Sequence, residues 1–243
     1  MSNIEKTINR IELQALYRST EITQMFSQLS LLYEKEDESL LEKYFMARSI
    51  VVFSYGTLEK FIKIATTSAF TEIIDNKYFF NNTRDFLCIL KSKNNPIELF
   101  NLVMFYKNNN QSENTFKYNN DKGYFEGRSS INSTTIANIV EILGLNEIEP
   151  LLRIPRITID SLCNTRMMLA HGDYYGNLKD IFNIERSSMT KVQIDELIFD
   201  VFRLTESTKD DLITFIKDFK EKIVSLLKKI DEYNKVTNNN YDS

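Results

Sequence analysis

The chain has 243 residues, of which 42% are hydrophobic, and its 30 basic and 34 acidic residues give a formal net charge of −4 at pH 7. This composition suits a globular protein with a substantial core, and the charge excludes a general attraction to nucleic acid; any such site must be a local basic patch or a groove made by two chains. Since no apolar run reaches the ~18 residues of a membrane span, no signal-peptide core is visible, and Cys88 and Cys163 match no disulfide framework, we expect a cytoplasmic protein without a membrane segment.

Two long helices are predicted in the first third of the chain, because apolar residues recur there at helical spacing. The first spans residues 4–33, and the second spans about 38–74. Residues 47–64 are apolar on most sides, so we expect this part of the second helix at the centre of the core. Gly56 within it costs about 1 kcal/mol relative to alanine, which predicts close packing against another backbone.

Polar side chains interrupt the apolar part of the second helix and must face a partner or a cleft. They are Arg48, Tyr55, Glu59 and Lys63. Glu59 is of most interest, because a carboxylate on a core helix usually has a cationic partner. Arg166 is a candidate for that partner, and an exposed Glu59 without a role fits the sequence equally well.

The middle of the chain combines short helices with an irregular insertion. Helices are predicted at 84–90, 96–106 and 133–143. The last of these has Ser133 as its N-cap and Gly144 as its stop. We interpret the Asn-, Lys- and Gly-rich residues 107–130 as a loop insertion whose aromatic rings pack onto the domain. Rings among basic residues also suit stacking on single-stranded RNA, which stays an alternative. These rings belong to Phe116, Tyr118, Tyr124 and Phe125.

Two further helical regions are predicted in the last third. A mostly buried helix runs over Ile157–Ala170, after Pro155 near its start and a separate short piece at 147–152. Residues 191–233 form either one long helix or two, because residues 206–209 resemble a fresh helix start. No segment alternates as a strand does, so the fold class is all-α.

The domain organisation follows from these elements. We expect an N-terminal helix over residues 1–36 and one helical domain over residues 37–235, which contains the insertion 107–130. The Asn-rich residues 236–243 are expected to form a disordered tail.

The residues best suited to chemistry stand at the end of the helix near residue 170. His171 is the only histidine in the chain, so it is the one imidazole able to exchange protons near neutral pH. Arg166 stands five positions earlier, and Gly172 follows where a helix would end. Positions 166 and 171 lie about 140° apart around a regular helix, so they share a face only if the imidazole folds back at the helix end. A plain helix cap beside a surface arginine explains these residues about equally well.

The series of elements that ends in T-R-M-M-L-A-H-G resembles the HEPN superfamily, in its RiboL-PSP-HEPN ribonuclease-like branch. There a helix carries Arg, four residues, His and Gly, and the phrase A-H-G is typical. The resemblance covers about residues 38–235 and is sharpest at 165–172. It implies a helical bundle of four to five helices that forms a homodimer and places two motifs across one cleft. Active members are metal-independent endoribonucleases, often toxins of toxin–antitoxin pairs or antiviral effectors.

The single histidine of the chain also agrees with an active site that two chains share. RNA cleavage by 2′-OH attack needs a base, an acid and a cation that holds the phosphorane charge. One imidazole cannot be base and acid at once, so two copies of His171 would share the proton transfers while Arg166 binds the scissile phosphate. Asn164, Asp173 and Tyr174 are further candidates for substrate contacts. The chain has no His, Cys and carboxylate cluster of metal-ligand type, so we expect no metal and no cofactor.

Two other functions fit the same sequence. Many members place Asn, Asp or His after the motif arginine, whereas this chain has Met167. A catalytically inactive HEPN module that binds an antitoxin, another regulatory protein or a nucleotide is therefore the alternative. A purely structural helical adaptor is the third interpretation.

Overall fold

The computed structural model of the protein describes residues 2–34, 40–76, 78, 130–145, 149–171, 190, 193 and 204–239. These residues form five α-helices and no strand, which confirms the all-α class. The helices are α1 (Asn3–Glu34), α2 (Leu40–Asp75), α3 (Ser133–Ile142), α4 (Glu149–His171) and α5 (Glu206–Asn239). No helix among the described residues is long and apolar enough to cross a membrane. The helices predicted at 84–90 and 96–106, and the insertion up to residue 129, lie outside the described residues.

Helix α2 is the central helix of the described fold, as the sequence predicts. It packs against α1, α4 and α5, while α3 packs against α4. The Phe61 ring of α2 is fully buried and meets the Phe219 ring of α5 edge-on, with centroids 6.2 Å apart. Phe219 in turn stacks on Phe215 at 5.6 Å. Such aromatic contacts add to the stability that burial of these large side chains provides.

Helices α1 and α5 pack against each other along the core. Ile11 and Ile22 of α1 are fully buried, so the N-terminal helix contributes directly to the core shared with α2 and α5. Helix α5 continues to Asn239, beyond residue 235, where we expected a tail to begin. Its last turns are supported by an ion pair of 2.6 Å between Lys235 and Asp231, one turn apart.

The N-terminus of α3 is capped one residue earlier than predicted. The Asn132 side-chain oxygen accepts the backbone N–H of Thr135 at 2.9 Å, so Asn132 is the N-cap and Ser133 is the first helical residue. Ser133 instead donates its N–H and its hydroxyl to the two carboxylate oxygens of Asp160, at 2.8 and 2.6 Å. This pair of bonds fixes the start of α3 on α4.

Two predicted helix boundaries are confirmed. Gly144 has a φ of 64°, and the N–H of Leu145 donates to the Val140 carbonyl at 2.9 Å, as in a helix terminated by a left-handed glycine. At the start of α5, the Thr205 hydroxyl accepts the Thr208 N–H at 3.2 Å. The C-terminal region therefore has a fresh helix start at Glu206.

An expectation about α4 is wrong, and one about α2 is not met among the described residues. Helix α4 is continuous over Glu149–His171 and includes Pro155, although we expected a separate piece at 147–152 and a helix start after the proline. Pro155 is the seventh residue of α4, so it removes one intrahelical hydrogen bond beyond the first turn, and the helix nevertheless continues through it. Gly56 of α2 is exposed, and a Cβ there would meet no described residue within 4 Å, so no backbone among the described residues packs closely on it.

Candidate functional site

The candidate site lies where α4 packs against α2, a contact that we call the α2–α4 seam. It comprises Arg48, Tyr55 and Glu59 of α2, and Cys163, Arg166 and Leu169 of α4. The residues of α4 that face the core recur at helical spacing, and Arg166 falls within this row. They are Ile159, Leu162, Cys163 and Leu169, all buried. Helical spacing therefore directs the motif arginine toward α2.

The Arg166 guanidinium lies over the face of the Tyr55 ring. Its central carbon is 5.6 Å from the ring centroid, and the side chain is partly buried. At this distance the negative face of the ring attracts the cation. Among the described residues, no carboxylate forms an ion pair with Arg166. The ring thus orients the guanidinium and leaves its N–H donors available to an anion.

Tyr55 is itself fixed from two sides. Its hydroxyl accepts the N–H of Ile131 at 2.6 Å and donates to the carbonyl of the same residue at 3.1 Å. The Cys163 thiol lies 3.7 Å from the same hydroxyl. Burial raises the pKa of Tyr55 far above its usual value, with smaller contributions from the nearby Cys163 and Glu59. The ring is therefore a neutral and rigid support for Arg166.

Glu59 does not pair with Arg166, so that expectation is wrong. Its carboxylate binds the Lys63 ammonium at 2.6 Å, and the Glu59 side chain is 15% exposed. Lys63 lies one turn further along the same helix, where a pair spaced by four residues forms locally. Arg166 lies opposite Tyr55 instead, one turn earlier on α2.

Arg48 connects α2 to the end of α4. Its Nη2 donates a hydrogen bond of 3.0 Å to the backbone carbonyl of Leu169. The last four carbonyls of a helix lack intrahelical partners, and a cation is favourable at that end of the helix dipole. Arg48 therefore holds the last turn of α4, which ends at His171. The sequence indicated that Arg48 needs a partner, but only the packing of the two helices identifies it.

The other predicted site residues are distributed as follows. Asn164 is exposed on α4, and the helical register places it about 160° around the helix from Arg166, so the structure does not bring the two together. His171 is the last residue of α4, and the register places position 171 about 140° around the helix from Arg166. Asp173 and Tyr174 lie outside the described residues.

An exposed apolar surface adjoins the seam. We call it the apolar α2 face, and it consists of Phe45, Met46, Val52 and Phe53, which are 51, 40, 40 and 62% exposed. Exposed Gly56 continues the same side of α2. Met167 and Met168 of α4 are also exposed, at 38 and 42%. Clusters of exposed apolar side chains of this kind mark interaction surfaces.

Comparison with known proteins identifies the family. The family model described as RiboL-PSP-HEPN matches residues 15–233, which include the seam and the motif Arg166–His171. Searches of curated proteins and of solved structures found no match. Since the matched region spans most of the chain, this protein belongs to the RiboL-PSP-HEPN family.

Proposed function

We propose that the protein is a metal-independent endoribonuclease that cleaves RNA by attack of a 2′-OH, at a site composed from two copies of the chain. The observation that supports this most is the state of Arg166. Its guanidinium is oriented by the Tyr55 ring at 5.6 Å and has no carboxylate partner among the described residues. A cation held in this way suits the charge that develops on a phosphodiester during cleavage.

The chemistry follows from the groups that the motif supplies. The 2′-oxygen attacks phosphorus while one imidazole of His171 takes the 2′-OH proton. The bond between phosphorus and the 5′-oxygen breaks, and a second imidazole donates the proton that the leaving oxygen needs. The products are a 2′,3′-cyclic phosphate and a 5′-hydroxyl. Arg166 neutralises the additional negative charge of the phosphorane between these steps.

The two imidazoles come from two chains, because each chain has one histidine. Two features of the described residues support a second copy on the apolar α2 face. Four large apolar side chains are exposed there, without cover from the described residues. Gly56 also lies on this side with no described atom within 4 Å of its Cβ position, although glycine costs a helix interior about 1 kcal/mol. Close approach of a partner helix gives that glycine a physical reason.

A toxin or antiviral defence effector is the cellular role that we propose for such an enzyme. The second candidate is a catalytically inactive module that binds an antitoxin or another regulatory partner. Met167 favours it, since a thioether that is 38% exposed offers no strong hydrogen bond beside the motif arginine.

Incubation of purified protein with a structured RNA tests the proposal. We expect fragments with 2′,3′-cyclic phosphate and 5′-hydroxyl ends from the wild type, and no fragments from His171→Ala. Lys217→Ala, which removes an exposed cation from α5, is the control and should cleave normally. Undiminished cleavage by His171→Ala would refute the catalytic role, and the absence of wild-type cleavage of any RNA would favour the inactive module.

A further inference from the structure

A second cationic site lies further along α2, in the cleft between α1 and α2 that we call the α1–α2 groove. It encloses about 380 Å³. Its cations are Arg10 of α1 with Lys60 and Lys63 of α2, and its hydroxyls come from Thr7, Thr67, Ser68 and Thr71. The groove takes no part in the chemistry described above.

The charges of the groove are unevenly matched. Of the described residues that line it, three are cations and Glu72 is the one carboxylate. Glu72 is buried, and its two oxygens accept hydrogen bonds from the Thr7 hydroxyl at 2.6 Å and the Asn76 amide at 3.0 Å. Neutral donors thus satisfy this carboxylate. Within the described part of the chain, Arg10 and Lys60 have no carboxylate partner, and Lys63 pairs with Glu59. The lining keeps a positive excess in a chain of net charge −4.

The hydroxyls of the groove add donors to these cations. Thr71 donates to the Thr67 carbonyl at 3.0 Å. The hydroxyls of Thr67 and Ser68 have no hydrogen-bond partner among the described residues. Cations combined with hydroxyl donors are the usual contacts to phosphate oxygens in nucleic-acid complexes. The groove therefore has the chemistry of a phosphate-binding surface.

The composition of the lining also decides between two sources of phosphate. A free nucleotide is usually held through its base as well, by stacking on an aromatic ring or a guanidinium. Among the described residues, no aromatic side chain lines the groove, and Ile64 is its only apolar member. Arg10 and Lys60 are moreover exposed, as expected for cations that follow a flexible backbone. These features favour the phosphodiester backbone of a strand over a free nucleotide.

Distance along α2 relates the groove to the proposed cleavage site. Lys63 lies eight residues beyond Tyr55, which is about 12 Å along a helix axis. A strand whose scissile phosphate contacts Arg166 is long enough to reach the groove within a few nucleotides. We propose that the α1–α2 groove binds the sugar–phosphate backbone of the RNA substrate away from the bond that is cut, without reading its bases. The identification of this strand as the RNA substrate rests on the proposed function.

Binding of an uncleavable RNA tests the groove separately from catalysis. The probe is a fluorescent 2′-O-methyl oligouridine of 20 nucleotides, whose blocked 2′-oxygen prevents cleavage, and anisotropy is measured from 50 to 300 mM salt. We expect Arg10→Gln/Lys60→Gln to weaken binding about tenfold. The slope of log affinity against log salt should fall by about 1.4, or ~0.7 for each lost cation. The double variant Lys228→Gln/Lys229→Gln removes two exposed cations from α5 and should change affinity less than twofold.

Two further arms complete the experiment. Arg10→Lys/Lys60→Arg retains both charges and should bind like the wild type, which excludes a folding defect at these exposed positions. Equal losses in the groove variant and the α5 variant, or no loss in either, would overturn the proposal. Displacement of the RNA probe from the groove by 1 mM ATP would instead assign the groove to free nucleotides. Because the probe cannot be cut, loss of binding in the groove variant would support the proposed groove even if the wild-type protein cleaves no RNA.

Discussion

The α2–α4 seam and the α1–α2 groove hold cations in different ways. In the α2–α4 seam, Arg166 lies on a neutral ring and Arg48 donates to a backbone carbonyl, so both are partly buried and oriented. In the α1–α2 groove, Arg10 and Lys60 are exposed among hydroxyls. An oriented cation suits a transition state of defined geometry, whereas exposed cations suit contacts to any phosphate. Substitutions in the seam should therefore change the rate of cleavage, and substitutions in the groove should change affinity.

The largest effect is expected at Arg166. Arg166→Ala removes the oriented donors and should lower kcat about 10²–10³-fold, in the range seen for one transition-state donor. Arg166→Lys keeps a charge but loses the planar fork, so it should recover only part of the rate. Single-turnover cleavage at saturating RNA measures both. Full activity of Arg166→Ala would contradict the expectation that substitutions in the seam change the rate of cleavage.

Arg48→Ala should have the next largest effect, a loss of about tenfold in kcat with little change in KM. The variant leaves the Leu169 carbonyl without its donor and releases the last turn of α4. Arg48→Lys, which keeps a donor at this helix end, should recover most of the rate. Steady-state kinetics and thermal melting together distinguish a local effect on the last turn of α4 from a general loss of stability. The local effect lowers kcat with little change in the melting temperature, whereas a general loss of stability lowers the melting temperature as well.

The fold was largely predictable from local signals, whereas the seam was not. The stop at Gly144 and the start of α5 at Glu206 follow from capping residues that act within one turn. The pair Glu59–Lys63 is also local, since its members are four residues apart, although we named Arg166 as the candidate partner. By contrast, the contact of Arg166 with Tyr55 depends on the register between α2 and α4, and helical periodicity alone does not give that register.

The outcomes at Gly56 and Pro155 have a common cause. A glycine in an apolar helix is compatible with close packing inside one chain and with an exposed surface that another chain covers. A proline near a helix start is compatible with a boundary and with a continuous helix. Helix propensity gives the free energy that a glycine or proline costs a helix, but tertiary packing determines whether the helix forms despite that cost.

The apolar α2 face provides a third test, through assembly instead of rate. Val52→Glu places a charge in the proposed dimer contact and should weaken dimerisation at least tenfold, as measured by sedimentation across a concentration series. Cleavage should fall in parallel with the dimer fraction. Val236→Glu on α5 is the matched control, because Val236 is 62% exposed and lies far along the chain from this face. Equal dimerisation of both variants and the wild type would locate the contact elsewhere.

A smaller effect is expected from Tyr55→Phe, which keeps the ring under Arg166 and removes the hydroxyl bonds to Ile131. The lost bonds should lower stability by about 1–2 kcal/mol at neutral pH. Because the folded state raises the pKa of Tyr55, its contribution is complete below the ordinary tyrosine pKa of about 10 and declines as pH rises above that value. The wild type should therefore lose more stability than Tyr55→Phe in urea melts between pH 9 and 11. Parallel curves for the two proteins would contradict the raised pKa.

The smallest effect is expected from a chelator. The proposed chemistry uses two imidazoles and a guanidinium, so 5 mM EDTA should leave the cleavage rate unchanged within twofold. Loss of activity that added Mg²⁺ or Zn²⁺ restores would replace this mechanism with a metal-assisted one.

The most direct test mixes active and inactive chains. Wild-type protein is refolded together with a tenfold excess of His171→Ala, and cleavage of saturating RNA is measured for each wild-type chain. If one cut needs an imidazole from both chains, nearly all wild-type chains will sit in mixed dimers, and activity for each wild-type chain should fall at least fivefold. If activity for each wild-type chain stays constant across the mixing series, one chain suffices for cleavage and the shared site is contradicted.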